Sequence, residues 1–426
     1  MFETDISEKK LVERALIVGV HPPEEPTAQV VEHLGELEEL LGNLGIPTVG
    51  REIVKLRAAH SRYYIGDGKA EEIAVRFAEL KCDVLVFDAD LTPSQQRNWE
   101  RKLKALVIDR REVILDIFAA HATTREAKLQ VELARLEYSL PRLARAWTHL
   151  SRQRGGAKGT RGEGEKQIEA DRRMVQQRIA SLKVELEGVR KQRGTMRKNR
   201  QRNLIPKAAI VGYTNVGKSS LLNVLANSSV LAEDKLFATL DPSTRKVKLP
   251  GNATLLMTDT VGFVRKLPHN LVAAFKSTLE EAAYADFLVV VLDVSSDFLE
   301  EHWETTISVL AELGAADKEM VVVFNKCDIE HDASLEVRAR ALFPTGFFLS
   351  VKTGAGMAEL VEELTSLARR HTSTLHVVLP PDRSDLAALA YAQGKVYESE
   401  YDDFGNLTLV FSIGANLCER YAPYKI

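Results

Sequence analysis

Eight consecutive residues, Gly212, Tyr213, Thr214, Asn215, Val216, Gly217, Lys218 and Ser219, fit the spacing GxxxxGK[ST]. They follow an apolar run from Ala208 to Val211 and open a helix-favouring stretch from Ser220 to Ala226. A turn of this kind aims backbone N–H groups inward and, with a helix N-terminus behind it, holds phosphate oxygens. Lys218 then sets an ammonium against the β- and γ-phosphates of a nucleotide, and the Ser219 hydroxyl can ligate Mg²⁺, with Ser220 next in the cradle. Asp259-Thr260-Val261-Gly262 ends a second apolar run. A carboxylate there holds Mg²⁺ through a water, and the Gly262 N–H faces the γ-phosphate. Asn325-Lys326-Cys327-Asp328 ends a third run. An aspartate in that place accepts two hydrogen bonds from guanine, at the ring N1–H and the exocyclic amino group. Adenine offers no such pair and would leave the carboxylate unmatched. Ser350-Val351-Lys352 follows a fourth apolar stretch, where the backbone reaches the guanine oxygen. Four boxes in this order predict a guanine-nucleotide site that hydrolyses GTP to GDP and phosphate.

Between the first two boxes lies Phe237-Ala238-Thr239-Leu240-Asp241-Pro242. Thr239 is expected to close over the γ-phosphate with its hydroxyl on Mg²⁺; Thr244 and Thr260 are the nearest alternatives. Lys218, Thr239 and Gly262 are therefore the expected catalytic set, with Ser219 and Thr239 as metal ligands. The residue after Gly262 is Phe263, where many switches of this kind place a glutamine that orients the attacking water. A phenyl ring cannot do that. Intrinsic hydrolysis should be slow, and the missing group must come from elsewhere in the chain, a bound cation or a partner. Asn215 bears on this choice: in a subset of such loops an asparagine here supports a K⁺ ion beside the phosphates. The plainer reading is an asparagine that only shapes the loop.

The elements that position these boxes follow from hydrophobic patterning. Residues 14–140 alternate short apolar strands (from Ala15, Ile46, Val84 and Ala105) with helical stretches, which predicts a small parallel α/β domain. A long helix is expected from about Arg111 to Leu140, with Leu129, Leu133, Leu136 and Leu140 on its core face. Residues 151–164 carry five glycines and four basic residues and cannot build a core; they read as a mobile basic loop. Residues 165–201 read as the second arm of a helical hairpin, through Ile168, Val175, Ile179, Leu182, Leu186 and Val189. From Lys207 to Arg370 the apolar runs suit a central parallel sheet. The last unit has strands at His376–Leu379 and Leu407–Ile413, a helix at 384–393 and a turn at Asp403–Asn406, and looks short for a core of its own. The expected division is 1–140, an α/β domain; 141–205, basic loop and helical arm; 206–371, the GTPase domain; and 372–426, a small α+β domain.

Charge adds a partner. The chain carries a net −3, yet Ser151 to Arg202 holds 16 Lys+Arg against 6 Asp+Glu, a local +10. A block of that sign in an otherwise acidic protein is a solvated face or a footprint for a polyanion. The three cysteines, Cys82, Cys327 and Cys418, form no CxxC pair, which suits a reducing compartment and argues against a zinc ribbon. The N-terminal MFETDISEKK has no apolar core of a signal peptide, and no apolar run is long enough to span a bilayer. A soluble, cytoplasmic protein with no membrane anchor is expected.

Taken with the boxes, several stretches resemble the HflX family of ribosome-associated GTPases, in the translation-factor-related group. They are Leu150-Ser-Arg-Gln153 leading into a loop close to GG-x-GTRG-x-GE, the Phe237–Pro242 switch, and Ala127-Lys-Leu-Gln-Val-Glu-Leu133. Ile65-Gly-Asp-Gly-Lys69 and Leu91-Thr-Pro-Ser-Gln95 look like that family too. The likeness covers residues 11 to 426. It departs at Ala157-Lys158, a pair where a single apolar residue is expected. The resemblance implies an N-terminal α/β domain with a long helical hairpin, a P-loop GTPase domain with a mostly parallel sheet, and a small C-terminal domain. It implies engagement of RNA and protein of the large ribosomal subunit and the splitting of stalled or stressed ribosomes; from the boxes GTP, GDP and Mg²⁺ are the expected ligands, and a monomer is expected. It further implies that the 151–164 loop reaches ribosomal RNA, with Arg152, Arg154, Lys158 and Arg161 as contact candidates. The alternatives are an RNA-remodelling, helicase-like ATPase or GTPase whose N-terminal domain binds ATP, a tRNA-modification GTPase suggested by Asn215, and a membrane regulator, for which the sequence offers no anchor.

Overall fold

The computed structural model describes residues 13–23, 26–145, 161–200, 205–227, 243–251, 253–265, 281–330, 332–370 and 372–426. The described residues form two compact units, one reaching to Leu186 and the other running from Glu187 to the C-terminus.

In the first unit, β1 (Ala15–His21), β2 (Thr48–Lys55), β3 (Val84–Phe87) and β4 (Leu106–Asp109) form a parallel sheet in the order β2-β1-β3-β4. The strands alternate with α1 (Thr27–Asn43), α2 (Asp67–Glu79) and α3 (Pro93–Leu103). Ala15 to Val18 and Val84 to Phe87 are fully buried, as two-sided helical cover demands of parallel strands. Pro93 starts α3 behind Thr92, whose hydroxyl accepts from the Gln95 N–H while the Gln95 side chain returns to the Thr92 N–H, a reciprocal cap.

The single long helix expected from Arg111 to Leu140 is two: α4 (Arg110–His121) and α5 (Arg125–Ser139). Ala122 turns extended, and Thr124 caps α5 by accepting from the Ala127 N–H at 3.1 Å. The Thr123-Thr124 pair was the signal for this break. The core face of α5 also differs from the leucine stripe. Ala127, Leu129, Gln130, Val131 and Ala134 are buried, while Leu133, Leu136 and Leu140 are half-buried. A third helix, α6 (Arg161–Arg200), begins inside the segment expected to be loop, so that loop ends before Arg161. Glycines at 162 and 164 are carried within a 40-residue helix, where many charged helix formers outweigh their cost of about 1 kcal/mol each. The hairpin itself forms. Arg178 of α6 clamps Glu132 of α5 with two hydrogen bonds of 2.8 and 2.9 Å, Lys183 pairs with Glu137 at 2.8 Å, and Leu182 and Leu186 are buried beneath them.

The second unit carries a six-stranded sheet of β5 (Lys207–Gly212), β6 (Ser243–Lys248), β7 (Thr254–Asp259), β8 (Phe287–Asp293), β9 (Met320–Asn325) and β10 (Phe347–Phe348), in the order β10-β9-β8-β5-β7-β6. All pairs are parallel except β6 with β7. Strand β6 was not foreseen: its STRKVK sequence is mostly solvated, as an edge strand can be. Among the described residues, helices α7 (Lys218–Leu225), α8 (Leu299–Glu312), α9 (Ala333–Leu342) and α10 (Met357–Arg370) alternate with these strands. Beyond it, β11 (Thr372–Leu379), β12 (Lys395–Tyr401) and β13 (Leu407–Gly414) make an antiparallel sheet, order β11-β13-β12, with α11 (Ser384–Gln393). Its own core holds Leu375, Val377, Leu386, Leu409, Phe411, Ile413 and Tyr421, so 55 residues do suffice for one.

Leu182 is the test of the hairpin. Leu182→Ala should cost about 2–5 kcal/mol, read as lost hydrogen-exchange protection across α5 and α6. Unchanged protection there would show that the two arms do not depend on this contact.

Candidate nucleotide site

The site is built where β5, β7 and β9 end, on the side of the sheet from which their following loops emerge. Gly212 closes β5 at φ 147°, and a Cβ there would strike the Val291 carbonyl of the neighbouring β8. Asn215 (φ 60°) and Gly217 (φ 95°) turn the chain through left-handed conformations, which curls the loop so that α7 starts at Lys218. Asn215 is the exposed member of the loop, and Thr214, Val216 and Lys218 are buried.

Lys218 is only 6% exposed, and its ammonium donates to the Tyr213 carbonyl. Burial pushes its pKa down to about 8, partly opposed by the nearby Asp259 carboxylate. The Ser219 hydroxyl donates to Asp259 Oδ2 at 2.6 Å. A hydroxyl and a buried carboxylate side by side are the oxygen donors Mg²⁺ favours, and an ion held by few protein groups leaves its other positions to phosphate and water. Among the described residues no cluster of three or more His, Cys, Asp or Glu could hold a metal ion. An Mg²⁺ ion would neutralise charge on the β- and γ-phosphates; Ser219 and Asp259 would hold it.

Gly262 sits hard against the phosphate loop. A Cβ on it would fall 2.8 Å from Thr214 Cγ2 and 2.9 Å from Lys218 Nζ, so only glycine lets the switch backbone approach this closely. Phe263 follows as a one-residue β-bridge to Tyr213: its N–H donates to the Gly212 carbonyl at 3.0 Å, and its carbonyl accepts from the Thr214 N–H at 2.8 Å. The phenyl ring is 1% exposed. Thr244 and Thr260, the alternatives to Thr239, are both engaged within the sheet, Thr244 with the Thr258 hydroxyl at 2.9 Å and Thr260 with the Ile210 carbonyl at 2.7 Å. Thr239 itself lies outside the described residues, as do Arg152, Arg154 and Lys158; Arg161 is the first residue of α6.

The Asn325–Asp328 box is tied to the phosphate loop by one residue. Asn325 is buried; its amide nitrogen donates to the Val216 carbonyl at 2.8 Å, and its oxygen accepts from the Val351 N–H at 3.0 Å. Asp328 accepts from the Ser350 hydroxyl at 2.6 Å, which holds its carboxyl below the usual carboxylate range, and Lys352 stands 3.9 Å away. Lys326 (φ 69°) pairs with Asp293 at 2.8 Å. Two partners were not found by reading the boxes. Asp293 ends β8 one residue past the apolar run, and Tyr213 stacks on His302 at 4.0 Å while its hydroxyl accepts from the Arg265 N–H at 2.8 Å. The strand-end position could have flagged Asp293; nothing in the sequence pairs Tyr213 with a residue about 90 positions away. In the first unit, the Ile65–Gly68 turn serves as the start of α2, with Gly66 at its N-cap.

A mostly parallel sheet with a phosphate loop after its central strand and guanine-type boxes at later strand ends defines a P-loop GTPase. Family models agree along the chain: "GTP-binding GTPase N-terminal" matches residues 31–119, "GTP-binding GTPase Middle Region" 121–200, and "50S ribosome-binding GTPase" 207–326. The GTPase HflX of Akkermansia muciniphila is 49% identical over 96% of this chain and 95% of that protein. The GTPase HflX of Escherichia coli K12 is 39% identical over 93% of this chain and 92% of its own. A solved structure of SsGBP in complex with GDP is 27% identical, with TM-score 0.48 over 84% of this chain and 98% of that one. The chain belongs to the HflX family of GTPases and is a GTP-hydrolysing enzyme that binds GTP and GDP. Among the described residues, no helix is long and apolar enough to cross a membrane.

Two outcomes test the site. A phosphate returns the Lys218 ammonium to its charged form, so binding above pH 8 must take up a proton. Affinity should then fall as pH rises through about 8, by up to tenfold per unit. Calorimetry of GDP binding at pH 9 in buffers of different ionisation enthalpy would read that uptake, and none would refute the buried-ammonium account. Asp328→Asn exchanges an acceptor for a donor. It should weaken GTP by at least about tenfold and strengthen xanthosine triphosphate, whose 2-oxo group accepts where guanine donates; an unaltered preference in competition binding would remove Asp328 from the base.

Proposed function

We propose that this protein is a GTP-dependent factor that engages the large ribosomal subunit and splits stalled or stressed ribosomes. The observation that carries this reading is the union, in one chain, of a guanine-nucleotide site and a 52-residue segment of net charge +10. The description of the family model over 207–326, a 50S ribosome-binding GTPase, supports the same partner.

Lys218, Thr239 and Gly262 act at the transferring phosphate. The loop 212–220 holds the phosphates through its backbone N–H groups and the Lys218 ammonium, Ser219 and Thr239 hold Mg²⁺ beside Asp259, and Asn325, Lys326, Asp328 and Ser350–Lys352 recognise guanine. Asn215 supports a K⁺ ion. GTP draws Thr239 and Gly262 onto the γ-phosphate, orders both switches and selects the ribosome-bound conformation; hydrolysis releases it. The working division is an N-terminal domain to 140, the basic loop and arm to 205, the GTPase domain to 371 and the small domain beyond. Arg152, Arg154, Lys158 and Arg161 grip RNA phosphates, and the protein acts as a cytoplasmic monomer.

The decisive measurement is GTP turnover with and without large ribosomal subunits, which should accelerate it at least tenfold. Cosedimentation should favour a GTP analogue over GDP. Neutralising Arg152, Arg154, Lys158 and Arg161 should lower the log–log salt slope of binding by up to about 0.9 per lost phosphate contact. Equal turnover and equal sedimentation in both nucleotide states would sink the reading, and ATP turnover confined to residues 1–205 would favour the RNA-remodelling alternative.

A further inference from the structure

The burial of Phe263 leaves the hydrolytic water without an orienting side chain at that position. The bridge to Tyr213 fixes its backbone on both sides, and the ring is packed away, 1% exposed. Some other group next to the γ-phosphate has to accept a hydrogen bond from the water.

Thr214 is placed for it. It belongs to the phosphate loop, is 5% exposed, and its hydroxyl has no hydrogen-bond partner among the described residues. Native proteins rarely bury a hydroxyl without a partner, because the lost hydration is not replaced. The Thr214 N–H is held by the Phe263 carbonyl at 2.8 Å, so the residue is locked to the switch segment. Its Cγ2 and the Lys218 Nζ converge within 3 Å of one point beside Gly262, at 2.8 and 2.9 Å. The unsatisfied hydroxyl therefore belongs to a side chain whose methyl, together with the Lys218 ammonium, crowds Gly262.

We propose that Thr214 is a catalytic residue of GTP hydrolysis: its hydroxyl accepts a hydrogen bond from the attacking water and sets that water in line with the γ-phosphorus. The inference rests on reading this site as the GTPase centre and adds to it the group that Phe263 does not supply. In the step, the water oxygen bonds to phosphorus, and the bond from phosphorus to the β–γ bridging oxygen breaks with its electron pair leaving on GDP. The water proton passes to a γ-phosphate oxygen, and Thr214 keeps its own.

The test is single-turnover and steady-state GTP hydrolysis by the full-length Thr214→Val and Thr214→Ser variants, with binding of GDP and a non-hydrolysable GTP analogue measured alongside. Valine keeps the shape and removes the hydroxyl. It should lower kcat by roughly 10- to 100-fold while both nucleotides bind within about threefold of the parent. Serine should recover the rate to within about threefold of the parent. GDP binding by the valine variant certifies its fold. Parental turnover by Thr214→Val overturns the proposal. So does a loss of analogue binding equal to the loss of rate, which would place the hydroxyl in ground-state binding, and so does a serine variant as slow as valine, which would assign the effect to the methyl group. A parent protein that binds no guanine nucleotide would instead overturn the site itself.

Discussion

An ammonium enclosed by protein has lost the water that stabilised its charge, and it regains an equal partner only from an anion. Lys218 is in that position. The Tyr213 carbonyl and the more distant Asp259 carboxylate keep it in place, and burial depresses its proton affinity. A polyphosphate restores what burial removed. Gly212, Gly217 and Gly262 are glycines for the same reason, since each brings backbone or a neighbouring group so near that a Cβ would collide with β8, Asn325 or the ammonium itself. The phosphate loop is thus a cradle drawn tight around one cation.

Around that cation the loops are tied to each other rather than merely adjacent. Asn325 bonds the phosphate loop with one end of its amide and the Val351 turn with the other, so the two loops share a single side chain. Phe263 bonds the phosphate loop through its backbone on both sides. A change at the γ-phosphate that moves Gly262 must therefore strain or break the Phe263 bridge and disturb Arg265, which the Tyr213 hydroxyl holds. Few hydrogen bonds, all close to the phosphate loop, join these segments, as a switch requires. The hydrophobic residue after Gly262 fits the same logic, because a buried ring anchors the segment that a solvent-facing glutamine would leave loose.

Much of this was legible in the residues. The four boxes fall at strand ends, and β1, β3, β5, β8 and β9 lie within a residue or two of their apolar runs, since parallel strands buried on both faces have no other way to be written. What escaped reading had identifiable causes. β6 is an edge strand whose charged residues carry no apolar signal. β12, KVYESEY, is equally polar and is a strand because β13 pairs with it. The break between α4 and α5 depends on a threonine cap that overrides a continuous helical pattern. α6 starts earlier than its glycines suggest because helical propensity is a weak local preference that a long charged helix absorbs.

The sequence by itself pointed to the chemistry: the types of Lys218, Ser219, Asp259, Asn325 and Asp328, in boxes that end successive apolar runs, indicate a guanine-nucleotide site, because phosphate and purine edge are matched by those groups once strand ends bring them together. Tertiary structure alone decided which side chains remain to act. It engaged the Thr244 and Thr260 hydroxyls within the sheet, buried the Phe263 ring, and left the Thr214 hydroxyl of the phosphate loop enclosed without a partner. Those outcomes turn on contacts between residues tens of positions apart, and a linear pattern records composition and period but not which distant carbonyl or hydroxyl a group will meet.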